Sequence, residues 1–262
     1  SRPAFAIEGS RRTAVTGLPA VDGFFGKVTT LSGAMERSGQ SSISINNLRM
    51  SADGLAFTMD GHLSTDDADL RASINLADLA RLDPRVTGAV EANGAFSGSL
   101  DKLTATAQLS IPSGTAMGKP IRGLTLNFTG NDITGNPSAS FRLNGNVAGQ
   151  PATGSGAFVT AGDNRFEVQN LDIAIGSARA TGGVTVTDAS LATGKLTLAA
   201  PNLADISPLV LTELAGSLNA DITLDITDGR QRVAGKGNAE RGAAAGQADA
   251  RARLAAPVID PN

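Results

Sequence analysis

The residues with chemistry to offer are few. His62 is the only histidine, and Asp66, Asp67 and Asp69 follow it closely. A histidine among carboxylates could act as the base of a Ser-His-Asp triad or as a metal ligand. Three clustered aspartates could hold calcium, or supply the acid and base of a glycosidase. Each possibility has a plainer reading. Asp60-Gly61 marks a break just before His62, which places the imidazole in a turn or strand start at the surface. The aspartates read as a solvated turn. No Gly-x-Ser-x-Gly occurs, no Gly-Lys pair is followed by Ser or Thr, and the calcium-binding nonapeptide repeat is missing. There is no cysteine, so disulfides, thiolate metal sites and cysteine nucleophiles drop out. The expectation is no enzyme, no catalytic residue, no metal and no cofactor.

Composition points away from a site and towards a surface. Hydrophobic residues reach 41% of the 262-residue chain while aromatics are only 3%, with no Trp and no Tyr. Apolar volume therefore comes mainly from Leu, Ile, Val and Ala, without the aromatic bulk usual in an enzyme core. The 31 glycines suit many turns and bulges. Twenty-two basic and 25 acidic residues are spread evenly, so no basic stripe or stacking platform supports nucleic-acid binding. No signal peptide, initiator Met or transmembrane run is present, and the chain reads as an internal segment of something longer.

The elements that would carry such a surface are strands. Ile43 and Ile45 alternate with Ser42, Ser44 and Asn46. Leu48 and Met50 resume the alternation, and Leu55, Phe57 and Met59 follow Asp53-Gly54. Leu70, Ala72, Ile74 and Leu76 make another period-two set. Further runs are Ala105, Ala107, Leu109 and Ile111; Leu124, Leu126 and Phe128; Phe141 and Leu143; and Phe166 and Val168, then Leu171, Ile173 and Ile175 after Asn170. Val184 and Val186, Leu196 and Leu198, and Leu218, Ala220, Ile222, Leu224 and Ile226 complete the series, the last turned by Asp228-Gly229. Side chains alternate between faces along a strand, so each run offers one apolar and one polar face. Pro112 to Pro120 and Pro151 to Gly156 read as breaks. Ala248, Ala250, Ala252 and Leu254 alternate with polar residues and favour a strand. Phe5, Ile7 and Val15 suggest a strand pair, and Leu18 to Phe25 a short helix or loop.

Two segments leave the period of two. Leu76, Leu79 and Ala80 fall near helical spacing before Pro84, and Asn202 to Leu214 contains Pro208. The first is too short to stand as a helix and reads as a plug or corner packed on the apolar face; the second reads as an equivalent corner. Asn75-Leu76-Ala77-Asp78-Leu79 matches Asn202-Leu203-Ala204-Asp205-Ile206 at an offset of about 127 residues, and Asn47-Leu48 matches Asn170-Leu171 at about 123. These imply a multi-strand repeat, with units near 41–163 and 164–262. The expected fold is all-β, an elongated, curled, antiparallel-rich sheet (a β-taco or repeating β-groove) with short helical corners.

Such a face must be covered by a second sheet, by helices, by closure into a barrel, or by an apolar ligand. Helices are too few, and the aromatic girdles of a membrane barrel are absent. On the pattern alone, inward aliphatics such as Leu109, Leu126, Ile173 and Ile222 are most simply the core of a closed sandwich.

The sequence resembles the TamB family, the translocation and assembly module subunits within the wider AsmA-like group of repeating β-groove proteins. The resemblance is carried by Asn-Leu-Ala-Asp-Leu followed by Gly88, by Gly98 to Leu100, by Ile111-Pro112, and by the Asn-Leu openings at 47 and 170. It covers most of residues 41–255 and rests on diffuse patterns of Leu, Gly and Asn. It implies the periplasmic segment of an inner-membrane-anchored protein of a diderm bacterium, touching membranes through regions outside this segment. It further implies an aliphatic groove that carries phospholipid acyl chains towards the outer membrane, and a TamA-like outer-membrane barrel partner in protein assembly. With the resemblance, the apolar face reads as that groove, lined by Leu48, Met50, Phe57, Met59, Leu109, Ile111, Leu124, Leu126, Phe128, Phe141, Leu143, Leu171, Ile173, Ile175, Val184, Val186, Leu196, Leu198, Leu218, Ile222, Leu224 and Ile226. Burying an acyl methylene is worth about 0.8 kcal/mol, and smooth aliphatic walls would let a chain slide at little cost. The rival readings are a scaffold that guides outer-membrane proteins by strand addition, and a dry-core β-solenoid adhesin. Arg251 and Arg253 read as the solvent face of a strand, with headgroup contact as an added possibility.

Overall fold

The computed structural model describes residues 4–11, 29–38, 42–160, 165–187, 190–240 and 251–255. Val15, the Leu18 to Phe25 segment, Ala248 and Ala250 lie outside them. The chain is all-β and antiparallel, as its alternation requires, and forms two compact units, Ser1–Pro137 and Ser138–Asn262. The unit boundary follows Pro137, whereas the sequence repeat is phased at 41 and 164. A repeat fixes a period and leaves its starting point open.

The first unit is an antiparallel meander of β1 (Ala4–Arg11), β2 (Thr29–Ser38), β3 (Ser42–Ala52), β4 (Leu55–Leu63), β5 (Ala68–Leu76), β7 (Val90–Gly98), β8 (Thr104–Ala116) and β9 (Lys119–Asn131), each paired with the next. The short β6 (Val86–Gly88) pairs with the end of β8. The second unit repeats the plan with β10 (Ser138–Val147), β11 (Gln150–Thr160), β12 (Phe166–Ile175), β13 (Ala178–Val186), β14 (Ala192–Ala200), β15 (Ser217–Thr227), β16 (Arg230–Glu240) and β17 (Arg251–Ala255). In each unit a corner interrupts the meander after its fifth strand: a 3-10 turn at Leu79–Arg81 in the first, and one at Leu203–Ile206 running into helix α1 (Ser207–Val210) in the second.

Two expected breaks, Asp60-Gly61 and Pro151 to Gly156, are strand instead, and within the third, Pro112 to Pro120, only Met117-Gly118 is a turn. Asp60-Gly61 lies inside β4, so His62 is a strand residue and the turn comes at Ser64 to Asp67. Gly61, at φ 134°, lets the Asp69 carbonyl approach where a Cβ would stand. Pro112 lies inside β8, at a point where register with β9 passes from Ile111–Leu124 to Ser113–Arg122, so the pairing continues on either side of the residue that lacks an N–H. Pro151 is the second residue of β11, and Gly154 and Gly156 face Leu143 and Phe141 across the sheet rather than forming a turn. The real turns are two-residue connections with positive φ at both positions, Met117-Gly118, Ala148-Gly149 and Asp228-Gly229. That geometry matches the right-handed twist of the flanking strands.

Bulges keep the apolar residues on one face. On β3, Asn46 and Asn47 stand against a single residue of β4, between the pairs Ile45–Gly61 and Leu48–Met59. A regular strand would send Ile45 and Leu48 to opposite faces, because their spacing is odd. The extra residue restores the phase. The same fault occurs on β12, where Gln169 and Asn170 oppose one residue of β13 between Val168–Val184 and Leu171–Gly182.

Candidate functional site

Cross-strand register assembles the predicted lining into continuous rows. In the first unit Met50, Phe57, Ile74, Ala92, Leu109 and Leu126 stand directly opposite one another from β3 to β9. In the second, Leu143, Gly154, Ile173, Ala180, Leu198 and Ala220 do the same from β10 to β15. Directly opposed residues share a face. Glycine recurs there opposite bulky side chains: Leu171 and Leu196 flank Gly182, and Ile222 faces Gly235. Ile111 and Ile175 are buried, and every other lining residue named from the sequence is half-buried. Ile74 belongs to the apolar face of the first unit and Phe158 to that of the second, at 39% and 40% exposure. Ile74 was legible as a period-two residue, whereas Phe158 follows a glycine-rich run that masked its strand.

The opposite face is polar and internally paired. Gln108 Nε2 donates to Asn127 Oδ1 at 3.0 Å, Thr197 Oγ1 donates to Asp221 Oδ1 at 2.9 Å, and Thr58 and Ser73 hydroxyls lie 2.7 Å apart. Arg179 grips Asp172 through Nε and Nη2 at 2.9 and 2.6 Å, and this pair holds the Asp172 carboxyl below the usual carboxylate range.

In each unit the corner fastens one end of that unit's apolar face. Asp78 caps the first: its Oδ1 accepts from the Ala80 and Gly88 N–H groups, each at 3.0 Å, and these bonds depress its pKa. Asn202 caps the second, its Oδ1 accepting from Ala204 N at 3.2 Å. The structurally equivalent stretches are therefore Asp78 to Pro84 and Asn202 to Pro208, both starting at the cap and ending on proline. The sequence match aligns Asn75 with Asn202, but Asn75 is still within β5. The fourth residue of each stretch latches onto the turn one hairpin back. Arg81 Nη2 lies 3.1 Å from Asp53 Oδ1, and Asp205 Oδ2 accepts from Ser177 N at 2.8 Å and Ser177 Oγ at 2.7 Å. A glycine makes room in both turns: a Cβ on Gly54 would meet Arg81, and one on Gly176 would meet Asp205. The Ser177 bonds hold the Asp205 carboxyl low.

The residues with catalytic types are engaged elsewhere. His62 Nε2 lies 2.7 Å from Asp67 Oδ2 on an exposed turn, while Ser64 Oγ is tied to the Asp67 backbone rather than to the imidazole. Asp83 is ion-paired with Arg85, which lowers its pKa to about 2. Among the described residues, no group of three or more His, Cys, Asp or Glu could hold a metal ion, and no helix is long and apolar enough to cross a membrane. Comparison with protein-family models, with curated proteins and with solved structures finds no match to this chain.

Proposed function

We propose that the aliphatic face binds phospholipid acyl chains, and that the chain is a segment of a periplasmic bridge of the TamB or AsmA-like kind carrying lipid between inner and outer membrane. The observation that carries this reading is the state of the face. Rows such as Met50 to Leu126 and Leu143 to Ala220 are apolar from strand to strand, yet apart from buried Gly154 their members are half-buried or, at Ile74, exposed. A sealed core would hide them. An uncovered apolar face of this extent favours an apolar occupant, and each acyl methylene it takes from water gains about 0.8 kcal/mol. Small aliphatic and glycine walls offer no polar anchor, which suits a chain that moves.

The test is site-specific photo-crosslinking in the periplasm of a diderm bacterium. A diazirine at Leu126 or Ile222 labels phospholipid, and one at Asn127 or Thr223, on the polar face, does not. Equal labelling from both faces, or none from either, overturns the proposal. Lipid extraction of the purified chain gives an independent reading, since a dry core yields no phospholipid.

A further inference from the structure

The second corner differs from the first in one respect that creates a site. After Pro84 the first unit passes directly into β6, whereas in the second the equivalent proline, Pro208, lies in α1, an inserted helical turn after which the strand resumes only at Ser217. That insertion lays Leu209 and Val210 beside Leu203 and Ile206, over the end of the apolar face formed by Ile173 and Ile175. A cavity of about 200 Å³ lies between the two layers. Its one ionisable lining residue, Arg179, has its guanidinium turned onto Asp172. The walls otherwise carry Ile, Leu, Val and Ala alone.

We infer that this cavity is a binding site for the end of an unbranched hydrocarbon chain. The inference rests on the acyl-chain reading of the face and adds where such a chain stops. Two features choose the occupant. The lining offers no free polar side chain, so a headgroup, sugar or peptide terminus would lose its hydrogen bonds on entering. The volume is also small. A 150 Å³ apolar cavity takes benzene, so about 200 Å³ has room for roughly six to eight carbons. The mouth is flanked by residues already apolar and exposed, Leu209 at 48% and Val210 at 51%, so a chain lying along the sheet could enter without crossing polar surface. The corner thus acts as a blind end of the face in the second unit.

The experiment titrates the full chain, labelled at Leu and Val methyls, with n-alkanols of increasing length and follows the Leu203, Leu209 and Val210 signals by NMR. Affinity rises about fourfold per added methylene and levels off near eight carbons. Leu209→Trp plugs the mouth from an exposed position and lowers octanol affinity at least tenfold; Ala180→Leu fills the cavity from the sheet side and does the same. Shifts that never saturate, an affinity that climbs without a plateau, or binding unchanged by both substitutions overturn the inference. Lipid labelling at Leu126 in the first unit reads the face alone. If Leu126 labels lipid and alkanols do not saturate the corner, the cavity fails and the face stands. Saturable alkanol binding without lipid labelling supports the cavity and overturns the face.

Discussion

Asn47 and Asn170 hold the same left-handed backbone, φ 50° and 51°, at the same fault in the two units. Each is the second of two residues opposed to one on the neighbouring strand, and each is followed by a leucine that regains the apolar face. Asparagine tolerates this conformation better than other residues with a side chain, because its short amide can bond locally. Asn47 N also donates to Asp60 Oδ1 at 2.7 Å, which fastens the first bulge across the strand pair.

Replacing either asparagine with alanine therefore destabilises the chain, by about 1 kcal/mol in urea unfolding. Asn170→Gly costs less, since glycine enters the left-handed region freely. Gly182→Ala, opposite the second bulge at φ 148° and with the Lys195 carbonyl where its methyl would stand, costs more, about 3 kcal/mol. A ranking in which the alanine and glycine variants of Asn170 are equal would show that the bulge does not need the left-handed residue.

The turn at Ala148-Gly149 carries alanine at φ 56°, where asparagine is the favoured residue. Ala148→Asn is expected to stabilise by about 0.5–1 kcal/mol. A rise in the denaturation midpoint with unchanged slope checks it.

Acid loosens the second corner. The Ser177 hydroxyl and N–H bind the charged form of Asp205, so its folded pKa lies below the unfolded one. Its contribution is complete above the unfolded value, near 4, and disappears as pH falls through the lower, folded value. Asp205→Asn should lose about 1 kcal/mol at pH 7 and show a flatter acid-side stability profile than the parent. Parallel profiles from pH 7 down to about pH 2 would remove the carboxylate from the latch.

A charge on the apolar face should act as a block to an acyl chain. Leu126→Asp and Ile222→Asp are expected to cut co-purifying phospholipid several-fold, because an ionised carboxylate cannot be buried under hydrocarbon without a partner. Thr223→Asp, on the opposite face, leaves the lipid content unchanged. Quantitative lipid extraction, with circular dichroism to confirm folding, separates the two outcomes.

Much of this was written locally. Period-two alternation made the strands legible, and the faces followed from it: Leu109 with Leu126, and Ile222 with Leu196, are neighbours in the sheet because each lies on the apolar side of its own run. The jumps at Asn47 and Asn170 were visible as a change of phase, without revealing that a bulge absorbs it. Prolines and glycines misled, because their usual meaning is a turn. Pro112, Pro151, Gly154 and Gly156 sit in strands, for reasons that belong to the neighbouring strand rather than to their own segment.

The amino-acid order alone determined that the chain is antiparallel β, that its two faces differ in polarity, and that a pattern returns after some 120 residues, because side-chain direction along a strand depends only on position parity. The tertiary structure alone decided that Asp78, not Asn75, is the partner of Asn202, and that Arg81 and Asp205 fasten equivalent turns with opposite charge. It alone placed α1 beside Ile173 and Ile175 to form an open-mouthed cavity. Those facts depend on which strand ends lie beside which corner. That juxtaposition comes from hydrogen-bond register and packing across residues far apart in the chain, which no local spacing records.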